Sequence, residues 1–305
     1  MNITEALSLY DLPLSELSAR ADRTRREHTG DTLELCTILN ARSGRCGEDC
    51  RFCAQSAHYA TGAAEYPLLP REDILAAARR AGEIGSDHFC IVSSGRALTG
   101  AEFDDVVKIV ADIRQQVGIE ICCSMGCLTP EQLARLRDAG STRFQHNLET
   151  SRRFFPRIVT THTYDDRVRT VRAAKELGFS VCSGGIIGLG ETREDRISMA
   201  LDLQELNVDV VPVNALMPIP GTPLADREPI SPIEVLKTIA IFRLLLPEKT
   251  IKLAGGRESV LKEFQATAFL SGANGMIIGG YLTQRGRAVE DDQRMVEEIR
   301  SAWKS

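Results

Sequence analysis

Short apolar runs alternate with longer stretches of helical periodicity along most of the chain. Runs of four to nine residues that are apolar almost throughout read as strands covered on both faces, the signature of a parallel sheet. The expected strands are Thr32–Asn40, Asp87–Ser93, Ile119–Ser124, Thr142–Asn147, Ser180–Ser183, Asp209–Asn214, Thr250–Leu253 and Gly275–Ile278. Most are followed by a helix-start signal. Thr129-Pro130-Glu131-Gln132 supplies an N-cap, a proline at the first helical position and a glutamine three after the cap, and Gly140 ends that helix. Ser231-Pro232-Ile233-Glu234 repeats the grammar, and Thr192 with Asp195 is a weaker version. Eight strands alternating with helices over roughly 250 residues predict an α/β fold, a (β/α)8 TIM-type barrel, complete or nearly so. An open doubly wound sheet is the second architecture consistent with the pattern. Residues 1–31 predict a helical extension outside the barrel, and residues 32–305 read as a single barrel domain. The loop Ala41–Pro67 has the longest stretch without clear periodicity, and loops of that length in compact domains are usually functional.

The chain has 305 residues and a formal net charge of -5. No basic footprint for nucleic acid or anionic lipid is present. The N-terminus is too acidic and interrupted for a signal peptide, and no apolar run approaches the ~18 residues of a membrane span. The chain therefore reads as soluble and cytoplasmic. Its nine cysteines do not fit a disulfide framework, which belongs mostly to short secreted chains.

Spacing decides what the cysteines do. Cys46-Gly47-Glu48-Asp49-Cys50-Arg51-Phe52-Cys53 is a CxxxCxxC just after the first expected strand. In a barrel this is the C-terminal face, where active sites sit. Three thiolates leave one iron of a four-iron cluster open. A zinc site completed by His58 is the alternative, although structural zinc sites usually come as paired CxxC-like knuckles.

The motif, with Phe52 before the last cysteine, resembles the radical S-adenosylmethionine superfamily. There the open iron of a [4Fe-4S] cluster chelates S-adenosylmethionine, and electron transfer generates a 5'-deoxyadenosyl radical. Longer stretches narrow the resemblance: Cys53-Ala54-Gln55-Ser56, His146 to Ser151, Thr160 to Tyr164, Val181 to Ile186, Gly188 to Thr192, Gly221 to Asp226 and Gly272-Ala273-Asn274 are similar to the biotin synthase family, in order, from about residue 30 to 290. That resemblance implies insertion of sulfur between two unactivated carbons of dethiobiotin, reduced flavodoxin or ferredoxin as electron donor, and a homodimer.

Family resemblance also implies roles. Gly184-Gly185, expected to end a strand, and Arg167 would receive the methionine carboxylate. Asn147 and Glu149, of equal strand parity, would hold the ribose. Asn147 and Asn214 would contact the substrate ureido ring, and Phe52 and Met217 join the cofactor-binding set. Cys90, Cys122 and Cys182 match the ligands of an auxiliary cluster that donates the sulfur. The family's fourth ligand, an arginine, is replaced here: Lys252-Leu253-Ala254-Gly255-Gly256-Arg257-Glu258 stands where the family carries Arg-Leu-Ser-Ala-Gly-Arg-Glu. Lysine is a point charge and no substitute for a guanidinium fork. Cys36 and Gly275 stand where serines are usual, and His88 where an arginine is usual. Cys36 is the expected fourth ligand, with Cys127 as the alternative; the bland reading of Cys36 is a small buried hydrophobe, and that of Lys252 a charge that lies close to the cluster and balances it. Four thiolates suit a two-iron or a four-iron cluster; a four-iron cluster with an extra sulfide is favoured over [2Fe-2S], as in variants of the family from anaerobes. Cys123, of opposite parity, should face the helices. His28, His58 and His162 read as polar surface or loop residues.

Two rival functions remain at this stage. One is another radical enzyme of the same subgroup, such as a hydrogenase-cofactor maturase or a methylornithine synthase, which needs no sulfur donor in the barrel. The other is an iron–sulfur carrier.

Overall fold

The computed structural model describes residues 1–283 and 286–304. Its nine strands are β1 (Glu34–Arg42), β2 (His88–Ser93), β3 (Glu120–Ser124), β4 (Arg143–Gln145), β5 (Ser180–Cys182), β6 (Gly185–Ile187), β7 (Val210–Ala215), β8 (Thr250–Leu253) and β9 (Gly275–Ile278). Every ladder between them is parallel. The order β5-β4-β3-β2-β1-β9-β8-β7-β6, with β5 also paired to β7, closes the sheet on itself. Strands β5 and β6 are two halves of one wall position, so the barrel has eight positions, as the strand count predicts.

Two expectations shift. The pair Gly184-Gly185 does not end a strand; Gly185 begins β6, which the sequence pattern misses because each half is only three residues long. The fourth strand stops at Gln145, two residues short of Asn147.

The helices form where their caps and apolar stripes dictate. Helix Pro130–Ala139 opens with the Thr129–Gln132 capping box and stops at Gly140, whose φ of 115° suits a residue without Cβ. Thr192 and Asp195 also form a full capping box. Helix Gly100–Gln116 buries Phe103, Val106, Val110 and Ile113, the helical spacing of one face against the sheet. Helix Pro232–Leu245 is apolar on nearly all sides because the N-terminal helix Leu14–Thr29 covers its outer face. Among the described residues, no helix is long and apolar enough to cross a membrane.

Candidate active site

The closed sheet encloses a cavity of about 400 Å³. Its mouth carries Cys46, Cys50 and Cys53, and its interior carries Cys36, Cys90, Cys122 and Cys182. All nine cysteines are free thiols.

The mouth loop is folded on its own backbone. The Cys46 amide donates to the Gln55 carbonyl at 3.1 Å, and the Cys53 amide to the Cys50 carbonyl at 2.9 Å. This turns the three thiols into one space. Burial pushes the Cys53 thiol up to about 11 and raises Cys50 further; such thiols ionise by binding metal. Among the described residues, no three His, Cys, Asp or Glu side chains converge on a single-ion site. His58 is exposed and pairs with the Gly47 carbonyl at 3.0 Å, so zinc is a poor fit. Three thiols spread around an open space fit a multi-iron cluster, which takes one thiolate per iron.

Beside the loop, Asn147, Glu149 and Arg167 meet. Glu149 has φ of 71°, so a left-handed turn, not strand alternation, brings it beside Asn147. The Asn147 amide donates to Glu149 Oε2 at 3.3 Å, and Arg167 Nη1 donates to the Asn147 carbonyl at 2.9 Å. Burial raises the Glu149 pKa despite the Arg167 charge. Gly184 and Gly185 lie behind this turn and do not line the cavity. A Cβ on Gly184 would sit 2.1 Å from the Pro212 carbonyl oxygen, and one on Gly185 would sit 2.4 Å from that of Glu149. Their role in this structure is close backbone approach: the Glu149 amide donates to Gly184 O at 3.1 Å, and the Ile186 amide to Glu149 O at 2.8 Å. Asn214 donates to Gly185 O at 3.0 Å and accepts from the Gly255 amide at 2.9 Å, which fixes its side chain in the wall. Phe52 and Met217 line the same space.

His162 lies in a loop, one of its two expected settings, but it is buried rather than on the surface. Its Nδ1 is in short contact with Glu48 of the cysteine loop, and its Nε2 accepts from Arg167 Nε at 3.0 Å. Glu48 and His162 thus tie the cysteine loop to Arg167. Local sequence carries no sign of the Glu48–His162 link, because the partners are 114 residues apart.

In the interior, Cys36, Cys90 and Cys122 form a buried group. Cys90 lies opposite Cys122 in the β2–β3 register, with sulfurs 3.0 Å apart. Burial pushes the Cys36 thiol up to about 11 and Cys182 up to about 12, each opposed by the Lys252 charge. Cys123 packs in the outer core, against the helices, as its parity predicts. Cys127 sits nearer the mouth, 3.6 Å from His146 Nε2. Below the four thiols lies an ion network, of which the sequence pattern singles out Lys252 and His88 but neither Glu34 nor Arg143. Arg143 holds Glu34 with two hydrogen bonds of 2.7 and 2.8 Å, and Lys252 Nζ lies 2.7 Å from Glu34 Oε1. Burial would raise the Glu34 pKa, but Lys252 and Arg143 overcome it and hold the carboxyl well below the usual range. His88 faces the same carboxylate at 3.9 Å.

Residues 41–203 match the model of the radical SAM superfamily, and residues 212–300 match that of the biotin and thiamin synthesis associated domain. The chain belongs to the radical S-adenosylmethionine superfamily. It is 48% identical over 299 residues to the biotin synthase of Pelotomaculum thermopropionicum, covering 97% of this chain and 93% of that one. It is 49% identical to that of Geobacter sulfurreducens, covering 97% and 90%. Within the superfamily, it is a member of the biotin synthase family. Solved structures of methylornithine synthase (TM-score 0.85, 20% identity, 99% of this chain and 96% of that one) and of an FeFe-hydrogenase maturase from Carboxydothermus hydrogenoformans (0.84, 18%, 98% and 75%) share the fold. At those identities they speak to the fold alone.

Proposed function

We propose that this chain is a biotin synthase that inserts sulfur into dethiobiotin, and that its auxiliary cluster is held by Cys36, Cys90, Cys122 and Cys182. The observation that carries this reading is the convergence of four buried thiols inside a barrel whose mouth carries Cys46, Cys50 and Cys53. When bound, the [4Fe-4S] cluster with S-adenosylmethionine supplies the hydrogen-abstracting 5'-deoxyadenosyl radical, and the auxiliary cluster supplies sulfur.

The chain's residues bind and orient. Arg167 has N–H donors beyond those used on His162 and Asn147, and these suit the methionine carboxylate. The turn built on Gly184-Gly185 presents Asn147 and Glu149, whose polar atoms suit ribose hydroxyls. Asn147 and Asn214 each retain amide hydrogen-bonding capacity for a ureido ring. Ile38, Val92, Met217 and Ile219 line the cavity with apolar surface that excludes water from the radical.

Cys36 as the fourth thiolate suits a four-iron auxiliary cluster with an extra sulfide. We read residues 32–305 as one domain with residues 1–31 as its extension; the single closed sheet, which runs through both matched segments, supports this. Reduced flavodoxin or ferredoxin, a homodimeric state and a cytoplasmic setting complete the proposal, the last in keeping with nine free thiols.

The test is anaerobic turnover with reduced flavodoxin, S-adenosylmethionine and dethiobiotin. Biotin formed together with 5'-deoxyadenosine is the expected result. S-Adenosylmethionine cleavage that dethiobiotin does not stimulate, with no biotin formed, would refute the proposal.

A further inference from the structure

The Glu34–Lys252 pair spans a strand. Glu34 on β1 and Lys252 on β8 are both register partners of Gly275 on the intervening β9. Register partners in a parallel sheet face the same side. A side chain at 275 would therefore stand between them; a Cβ there already meets Thr250 Cγ2 at 2.9 Å and Lys252 Cβ at 3.5 Å. Gly275 clears the path for the 2.7 Å contact.

Lys252 is 2% exposed. An ammonium has three N–H donors and no lone pair. One donor is used on Glu34, and the space beyond is the cavity that Cys36 and Cys182 line. A buried ammonium with donors to spare needs acceptors, and sulfur is what this space offers. Arg143, fixed on Glu34 by two hydrogen bonds and by a third to Ser180 Oγ at 3.2 Å, keeps the carboxylate in place.

We infer that Glu34, Arg143 and Gly275 hold Lys252 as a hydrogen-bond donor and counter-charge to the auxiliary cluster, and not as an iron ligand. Lys252 is a positioning residue: it sets the electrostatic environment of the cluster sulfur, and the cysteines alone bind iron. The inference rests on the four-thiolate reading of the auxiliary site.

The test is the midpoint potential of the auxiliary cluster in anaerobically reconstituted full-length protein, with iron counted in the same samples. Lys252→Met removes a positive charge and should make the potential more negative. Glu34→Gln removes a negative charge and should make it more positive. Both should retain the iron count and Mössbauer pattern of the unaltered protein. Gly275→Ser, which obstructs the pair without changing charge, should also alter the potential. Shifts of the same sign in Lys252→Met and Glu34→Gln, or none in either, would overturn the inference. Loss of the auxiliary irons in Lys252→Met would overturn it too, since Lys252 would then be needed to hold iron. Failure of the underlying reading is recognised separately, by a Cys36→Ala variant whose auxiliary spectrum is unchanged.

Discussion

Arg167 gives one N–H to His162 and another to the Asn147 carbonyl, so its fork is fixed before any ligand arrives. Lysine at this position cannot bridge both partners and still offer a planar pair of donors. Arg167→Lys should weaken S-adenosylmethionine binding by about 1.5–3 kcal/mol, roughly tenfold to a hundredfold. Equilibrium dialysis against cluster-loaded protein measures this, and unchanged affinity would remove Arg167 from the cofactor site. The two cysteines proposed at sequence level as fourth ligand separate clearly in space. Cys36 belongs to the buried group with Cys90 and Cys122, whereas Cys127 faces His146 near the mouth. Cys36→Ala should therefore lose or alter the auxiliary cluster, and Cys127→Ala should keep it, as read by iron and labile-sulfide analysis. The reverse pattern would assign the ligand to Cys127.

At the scale of elements, motif and parity carried most of the reading. The capping boxes, Gly140 and the strands that hold cysteines stand where the pattern put them, because caps and alternation are local chemistry. Strand β6 escaped because it is three residues long and begins on Gly185, the second of two glycines that also look like a strand end. Those glycines serve backbone approach: Gly184→Ala would drive a Cβ onto the Pro212 carbonyl. It should destabilise the fold by about 1–3 kcal/mol in urea unfolding; a variant as stable as the parent would show that β5 and β6 can part. Asp195 ties the start of helix Arg193–Glu205 to Ser151 and Arg153. Burial would raise its pKa, but hydrogen bonds from Ser151, Thr192 and Arg153 overcome that and lower it. The stabilisation is therefore present above the unfolded value of about 3.9 and is lost as pH falls through the folded value. Asp195→Asn should cost about 1 kcal/mol at neutral pH, and the difference from the parent should shrink in acid. A difference independent of pH would contradict the assignment.

At the scale of the molecule, what the sequence concealed were contacts between distant strands. Glu34 and Arg143 are 109 residues apart, and nothing in the local sequence of either points to the other. Only barrel closure makes them neighbours, with Lys252 completing the group. Closure also explains why the two groups of cysteines share one cavity: one group stands at the mouth and the other in the interior of a single barrel. On the proposed reading this cavity holds two clusters, the inner one on four cysteines. Iron analysis with Mössbauer spectroscopy of anaerobically purified protein tests it most directly. About eight irons per chain in two four-iron clusters are expected, with the inner signal lost in Cys36→Ala; about six irons per chain, or an inner signal indifferent to Cys36, would rule out the four-thiolate, four-iron site.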